Sequence, residues 1–245
     1  MITIIIVCRN AGATLPATLA SVWGQTIARP RLELVVIDGA STDGSAAWLA
    51  EHTARIDQLI SEPDAGVYDA MNRGLDLARG DWVYFLGADD TLASPDVLDR
   101  VALILRGTSA DAVAGEARYR DGRVYRFAPP IRPARRNFLH HQATFYRRAH
   151  FDAFGGGFDL SFRVAADYEL NLRWWRLGAR FEACPIHVAD CTPGGLSDAG
   201  RWPSYGEEIR ARHRHLPGRQ CLLWDAGSVV RYLRKRLIVA PRRHA

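Results

Sequence analysis

Trp82-Val83-Tyr84-Phe85-Leu86-Gly87-Ala88-Asp89-Asp90 decides the fold of this chain. Five apolar residues follow the Gly80-Asp81 turn signal and run through Gly-Ala into two adjacent carboxylates. An unbroken apolar run of this length, rich in aromatic and branched types, predicts a strand buried on both faces, as in a parallel sheet. Ligands of such sheets bind in the crevice outside the carboxyl ends of the strands. Two neighbouring carboxylates there repel each other and lose solvation unless a cation or hydrogen-bond donors compensate. Two readings compete at Asp89-Asp90: a divalent cation carrying an anionic substrate, or a turn and cap before a helix starting near Pro95.

Toward the N-terminus, strands and helices alternate. Residues 2–8 read as a strand, and Leu15, Leu19, Val22 and Trp23 give residues 13–25 a helical spacing after the Asn10-Ala11-Gly12 turn. Residues 32–37 are a second buried strand, closed by Asp38-Gly39-Ala40-Ser41-Thr42-Asp43-Gly44. A helix over 45–53 and a short strand over 56–60 follow; Val67, Ala70, Met71, Gly74, Leu75 and Ala78 then mark one face of a further helix. This alternation predicts an α/β fold, a parallel sheet with helices on both faces. Beyond the opening strand the pattern changes. Residues 112–115 read as a strand, and residues 117–127 as two short strands around Asp121-Gly122, a hairpin signal. After the proline-broken linker at 129–133 come a strand at 144–146, the Gly155-Gly156-Gly157 turn, a helix over 168–177 and a strand over 181–188. Two basic, partly amphipathic helices complete the chain.

The composition, 48% hydrophobic and 24% charged over 245 residues, is that of a globular protein with a sizeable core. No run approaches the ~18 consecutive apolar residues of a membrane helix. The apolar N-terminus lacks a basic leader and reads as a first strand, which predicts cytoplasmic residence. Cys8, Cys184, Cys191 and Cys221 show no metal-site spacing and read as buried thiols in a reducing compartment. The net charge of +5 is concentrated at one end: residues 199–245 hold eleven Arg or Lys against three acids. Lys235 is the only lysine, so arginine is a compositional habit here and Arg counts say little by themselves.

Nucleotide binding is the natural use of such a sheet. The Arg9-Asn10-Ala11-Gly12-Ala13 loop has a single glycine, which excludes the dinucleotide fingerprint, and no Walker loop is present. Phosphate charge must therefore be met by metal and arginine. Asp38 can accept a hydrogen bond from a base or ribose, or close an Asx turn before Gly39; its position alone leaves both open. Asp43 reads as a helix N-cap, Asp64 as a second nucleotide contact, and Asn72 and Gly74 as packing residues. By local pattern alone, Asp167 is a helix N-cap, Glu169 part of an exposed face, and the histidines of His140-His141-Gln142 structural.

Taken together, residues 4–9, Val36 through Gly44, 61–74, 84–90 and 141–167 resemble, in that order, the family 2 glycosyltransferases with the GT-A fold. The likeness is greatest to the bacterial branch that builds surface polysaccharides on lipid-linked acceptors, and it covers residues 2–198. It implies a Rossmann-like α/β/α sandwich on a mainly parallel mixed sheet. Residues 1–198 would be the catalytic domain, 1–110 its nucleotide-sugar half and 111–198 its acceptor half, with 199–245 a basic helical extension. The implied reaction is inverting transfer of a sugar from a nucleotide donor, usually a UDP-sugar, to an acceptor hydroxyl on a glycan or lipid-linked saccharide. Carried onto this chain, Cys8, Arg9, Asn10, Asp38, Asp64, Asp89 and His141 would line the donor. Asp90 and Asp89 would hold Mn2+ or Mg2+, and Asp167 would be the general base. Gly87 stands where many relatives carry Asp or Asn, and Ala166 where the motif has Glu. Those departures are the support for an alternative, a catalytically silent nucleotide-sugar-binding subunit of an assembly complex. A nucleotidyltransferase would want a glycine- and lysine- or arginine-rich loop after the first strand, which is absent. Gly194-Gly195-Leu196-Ser197 resembles the mobile loop that closes over the diphosphate. Residues 229–239 alternate apolar and basic clusters, which suits either a helix docked on the domain or peripheral attachment to the anionic inner face of a membrane. No recognised nucleic-acid module accompanies the charge, so a nucleic-acid partner is not expected.

Overall fold

The computed structural model describes residues 1–194 and 202–239. The parallel part of its sheet is β1 (Ile2–Cys8), β2 (Leu32–Asp38), β3 (Gln58–Ser61) and β4 (Trp82–Gly87), in the order β3-β2-β1-β4. Register pairs Cys8 with Asp38, Asp38 with Ser61, and Val7 with Gly87. The carboxyl ends of all four strands are therefore level and form one polar edge.

Alternation along each strand divides the core between the two faces of the sheet. On one side Ile4, Ile6, Leu34, Val36, Tyr84 and Leu86 pack with Leu15, Leu19 and Val22 of α1 (Leu15–Trp23) and Leu49 of α2 (Ser45–Glu51). On the other, Ile5, Val35, Ile37, Val83 and Phe85 meet Tyr68 and Met71 of α3 (Val67–Leu77). Gly74 lets α3 lie close to the sheet, because a Cβ there would collide with Ile5. Asn72 is tied to Phe158, donating to its carbonyl at 2.9 Å and accepting from its N–H at 2.8 Å. Both residues have the packing role read from their sequence.

After β4 the chain forms a two-residue strand, β5 (Thr91–Leu92), then α4 (Val97–Gly107), which joins the core on the α1 side. β6 (Ala112–Tyr119) is one continuous strand where two were expected; its ladder with a later strand shifts register around Gly115 and Glu116 instead of breaking. The hairpin at Asp121-Gly122 leads into β7 (Val124–Arg126), with Gly122 at φ +88°. β8 (Thr144–Arg147) is antiparallel to both β4 and β6 and joins the two halves into one sheet. Two helices, α5 (His150–Ala153) and α6 (Ala166–Arg176), add Phe151, Leu170 and Trp174 to the core on the α3 side. β9 (Phe181–Cys191) runs parallel to β6 and pairs antiparallel with β5, three residues longer than its apolar run suggested. The sheet is mixed, with most of its ladder parallel, and is covered by helices on both faces.

The C-terminal pair, α7 (Trp202–His215) and α8 (Gly218–Val239), packs beside α6. Glu169 of α6, expected on an exposed face, is buried and accepts from His215 Nε2 at 2.7 Å, with Arg173 Nε at 3.3 Å. Helix–helix contact overrides the local pattern there. Residues Gly195 to Ser197 of the expected closing loop, and the junction at 198/199, lie outside the described residues.

Candidate active site

The polar edge begins where β1 and β2 end. Asp38 is fully buried, and its carboxylate accepts from Ser41 N (3.1 Å), Ser41 Oγ, Ser61 Oγ (2.6 Å) and Cys8 Sγ (3.6 Å). Four donors fill the acceptor capacity of a carboxylate, so Asp38 fixes the conformation of the loop that follows it. Burial, and then Asp38 itself, push the Cys8 thiol up to about 12, so it is a neutral donor. Asn10 adopts the left-handed conformation at φ +55°, which Asn tolerates better than most residues. Its N–H donates to Ser41 Oγ at 2.7 Å and its Oδ1 accepts from Thr42 N at 2.9 Å. Asp43 takes Gly12 N at 2.9 Å and Ser45 N at 3.0 Å; the Ser45 hydroxyl and these amides hold its carboxyl at about 2. The residue flanking α2 is Gly44, and Asp43 reaches past it to the first helical N–H. Asp64 closes its own turn on Gly66 N at 2.9 Å and lies over Gly39, where an added Cβ would sit 3.2 Å from Asp64 Cγ and 3.4 Å from Arg9 Cδ. Cys8, Arg9, Asn10, Asp38 and Asp64 thus form one group, around the ends of β1 and β2.

A second group is centred on Asp90. Its side chain is fully buried; Oδ1 accepts from Thr192 N at 2.7 Å and Oδ2 from the Gln142 amide. Burial, and the adjacent Asp89 carboxylate, raise its pKa to about 6 against the pull of those two donors. Asp89 is partly exposed, with its backbone carbonyl held by Thr192 Oγ1 at 2.6 Å. Gly87 sits under the pair: a Cβ there would collide with Asp90 Oδ2 and stand 2.7 Å from Gln142 Nε2 and 3.1 Å from Asp89 Oδ1. Glycine at this position is what allows the carboxylates to fold back over the strand end. Gly87→Ala should therefore cost about 1–3 kcal/mol of strain and lower Tm by about 3–10 °C. Calorimetric melting of the two proteins without ligand checks this, and an unchanged Tm would show that the pair simply rotates away.

The third carboxylate, Asp167, stands in the first turn of α6. Oδ2 accepts from Asn137 Nδ2 at 2.8 Å and lies 3.3 Å from His141 Nδ1; Oδ1 accepts from Tyr168 N at 2.9 Å and lies 3.3 Å from the Tyr68 hydroxyl. Burial works to raise its pKa, but the hydrogen bond and charge of His141, with the Tyr168 N–H, outweigh it and leave the carboxyl below its usual range. Tyr68 is held well above its ordinary value by burial and by Asp167, so it donates as a neutral phenol. His140 stacks on His141 and turns its Nε2 to Tyr119 Oη at 2.8 Å, and burial drops it to about 3. His141 and Gln142 do different things from adjacent positions: one holds Asp167, the next holds Asp90. Tyr84 of β4 anchors the pair by donating to the Gln142 carbonyl at 2.8 Å.

Several of these residues carried no sequence signal. Asn137 follows an arginine pair in a proline-broken stretch, and Thr192 lies just beyond the end of β9; only spatial neighbours give them a role. Glu207 of α7 is the largest omission. Its carboxylate accepts from Arg163 N (2.9 Å), Val164 N (2.8 Å) and Ala165 N (2.9 Å), the three amides leading into the turn that presents Asp167. One clue existed: residues 199–245 hold only three acids, Glu207, Glu208 and Asp225. All three turn inward, Glu208 to Ser228 and Arg231, Asp225 to Arg212 and His213.

Among the described residues no cluster of three or more His, Cys, Asp or Glu could by itself hold a metal ion. What the edge offers is two carboxylates, one of them buried with its ionised form disfavoured. That donor set fits a hard cation that takes its remaining ligands from phosphate and water.

The glycosyl transferase family 2 model matches residues 3–170. A PGL/p-HBAD biosynthesis glycosyltransferase of Mycobacterium tuberculosis is 41% identical over 180 residues, covering 71% of this chain and 69% of that one. The succinoglycan biosynthesis protein ExoU of Rhizobium meliloti is 28% identical over 207 residues, 74% of this chain and 58% of its own. Among solved structures, S. aureus TarS 1-349 in complex with UDP-GlcNAc superposes with a TM-score of 0.75 at 17% identity, covering 95% of this chain and 72% of that one. Against a longer TarS chain this protein spans 43% of the length. Mannosyltransferase PcManGT from Pyrobaculum calidifontis, in complex with GDP-Man and Mn2+, gives 0.67 at 20% identity, covering 100% of this chain and 76% of that one. These structural likenesses establish the GT-A fold. With the family model spanning more than half its length, the chain belongs to glycosyl transferase family 2.

Proposed function

We propose that this enzyme transfers a sugar with inversion from a nucleotide-sugar donor, a UDP-sugar, to a hydroxyl of a glycan or lipid-linked saccharide in surface-polysaccharide assembly. The observation that carries the reading is the His141-Gln142 dipeptide, which holds Asp167 with one residue and Asp90 with the next. Two carboxylates far apart in sequence are thereby tied to neighbouring residues of one segment, which supports assigning Asp90 to the donor side and Asp167 to the acceptor side. The UDP-GlcNAc bound in the TarS complex, and the glycan-assembly names of the relatives, support the choice of donor and setting.

In this reading Asp38, through Ser41 and the loop to Asp43, shapes the pocket for the base, and Arg9, Asn10 and Asp64 complete its walls. Asp89 and Asp90 would hold Mn2+ or Mg2+ together with the diphosphate, a cation that absorbs the negative charge developing on the leaving group. Asp167 takes the proton of the attacking hydroxyl. It is ionised and only weakly basic, so proton transfer follows once C–O bond formation has made that hydroxyl acidic. His141 and Asn137 keep its Oδ2 oriented, and Tyr68 steadies Oδ1. The proposed location is cytoplasmic, at the inner face of the cell membrane.

Thermal stabilisation by a panel of UDP-, GDP- and dTDP-sugars with Mn2+ tests the donor reading. At a hundredfold excess over Kd the cognate donor adds about 2.7 kcal/mol, or about 5–10 °C in Tm. No response to any nucleotide sugar would overturn it. Stabilisation without any slow release of UDP would favour the silent binding subunit.

A further inference from the structure

We propose that the outward face of α8 is a docking surface for an anionic lipid bilayer. Ten residues of this helix with described side chains that point to solvent share one side of it: Arg219, Leu222, Leu223, Ala226, Val229, Val230, Leu233, Arg234, Arg236 and Leu237. At 100° per residue the seven apolar members fall in one sector, with arginines at its ends and along its border. Leu222, Leu223 and Leu237 are each about seven-tenths exposed, too much apolar surface for a helix whose other face is already satisfied. That other face is closed by Cys221, by Ser228 and Asp225 on the buried Arg212 guanidinium, and by Tyr232 against Trp202 and Tyr205.

Charge selects the occupant. Every charged side chain on the outward face is an arginine, and the one acid of α8, Asp225, is turned inward to Arg212 and His213. A second copy meeting this face across a two-fold axis would set arginine against arginine, whereas an anionic lipid surface complements both the apolar sector and its cationic border. No helix among the described residues is long and apolar enough to cross a membrane, so the helix lies along the interface. Arg212 also reaches the Ala134 carbonyl at 3.5 Å, which places the loop bearing the exposed Arg132, Arg135 and Arg136 beside the same helix pair. The next residue of that loop, Asn137, holds Asp167. Docking through α8 would bring the acceptor side of the site to the bilayer, and in that purpose the proposal rests on the lipid-linked acceptor reading.

The test is co-sedimentation of the full chain with vesicles of phosphatidylglycerol and phosphatidylcholine, and with phosphatidylcholine alone. Binding is expected to the anionic vesicles only, and to weaken in high salt. Two variants on exposed positions, Leu223→Asp with Val230→Asp and Arg234→Glu with Arg236→Glu, should each lower partitioning by at least about tenfold with Tm unchanged. Wild type that fails to bind anionic vesicles, or variants that bind as wild type does, would overturn the proposal. So would a lipid-free dimer that both variants dissociate, which would give the face to a second copy. Vesicle binding needs neither donor nor acceptor, so a chain that binds lipid without transferring sugar defeats the functional reading and leaves this one standing.

Discussion

Asp167→Asn is expected to lower kcat for transfer by about 10²–10⁴-fold while donor affinity stays nearly unchanged. The substitution keeps the shape of the side chain and removes its capacity to take a proton. One amide oxygen can still accept, so the Tyr168 N–H or the Asn137 amide keeps a partner, and α6 keeps its first turn. The amide –NH2 then meets a donor from which the carboxylate oxygen had accepted, which costs some local stability but touches nothing on the donor side. Calorimetry with UDP and Mn2+, beside a transfer assay, separates the two effects. Substantial transfer by the variant would remove Asp167 as the base. A parallel loss of UDP affinity would show that its role is to hold the site together.

Asp90→Ala should produce the opposite signature. Mn2+-dependent UDP affinity falls by at least about tenfold, and the metal-independent part persists on the Asp38–Asp64 side. Asp90 lies fully buried beside Asp89, with burial already pressing it toward the neutral form. A carboxylate kept in such a place at a strand end is costly in the folded protein alone and becomes favourable when a cation arrives. Because Ala also strands Gln142 and the Thr192 N–H, Asp90→Asn is the companion variant that keeps an acceptor for one of them. If both variants retain full metal-dependent binding, the cation is held elsewhere.

The parallel half of the fold was legible because its signals are local. An apolar run such as 82–86 can be buried only as a central strand, and the turn at Asp38–Gly44 marks where β2 must stop. The antiparallel half was less so. β5 is two residues long and exists because β9 passes beside it, and β6 reads as two strands since Gly115 interrupts the apolar pattern without interrupting the ladder. The site divides the same way. The carboxylates announce themselves by type and place, and the resemblance to family 2 named them. Their partners Asn137, Thr192 and Tyr68 are ordinary polar residues, distinguished only by what the fold brings to them. Glu169 shows the reverse error: its local pattern is that of a solvated face, and an α7 histidine buries it.

The three amides held by Glu207 have a consequence for how the enzyme comes into being. Its carboxylate comes from a residue 42 positions beyond Ala165, whereas Cys8, Asp38, Ser41 and Ser61 all lie in the first quarter of the chain. During synthesis the edge at β1, β2 and β3 has all of those side chains long before the turn bearing Asp167 receives its clasp. A chain arrested in between could acquire a donor pocket without a fixed base. On the proposed reading, competence to activate an acceptor is gained after the donor pocket, and it comes with the same helical pair that carries the outward face of α8.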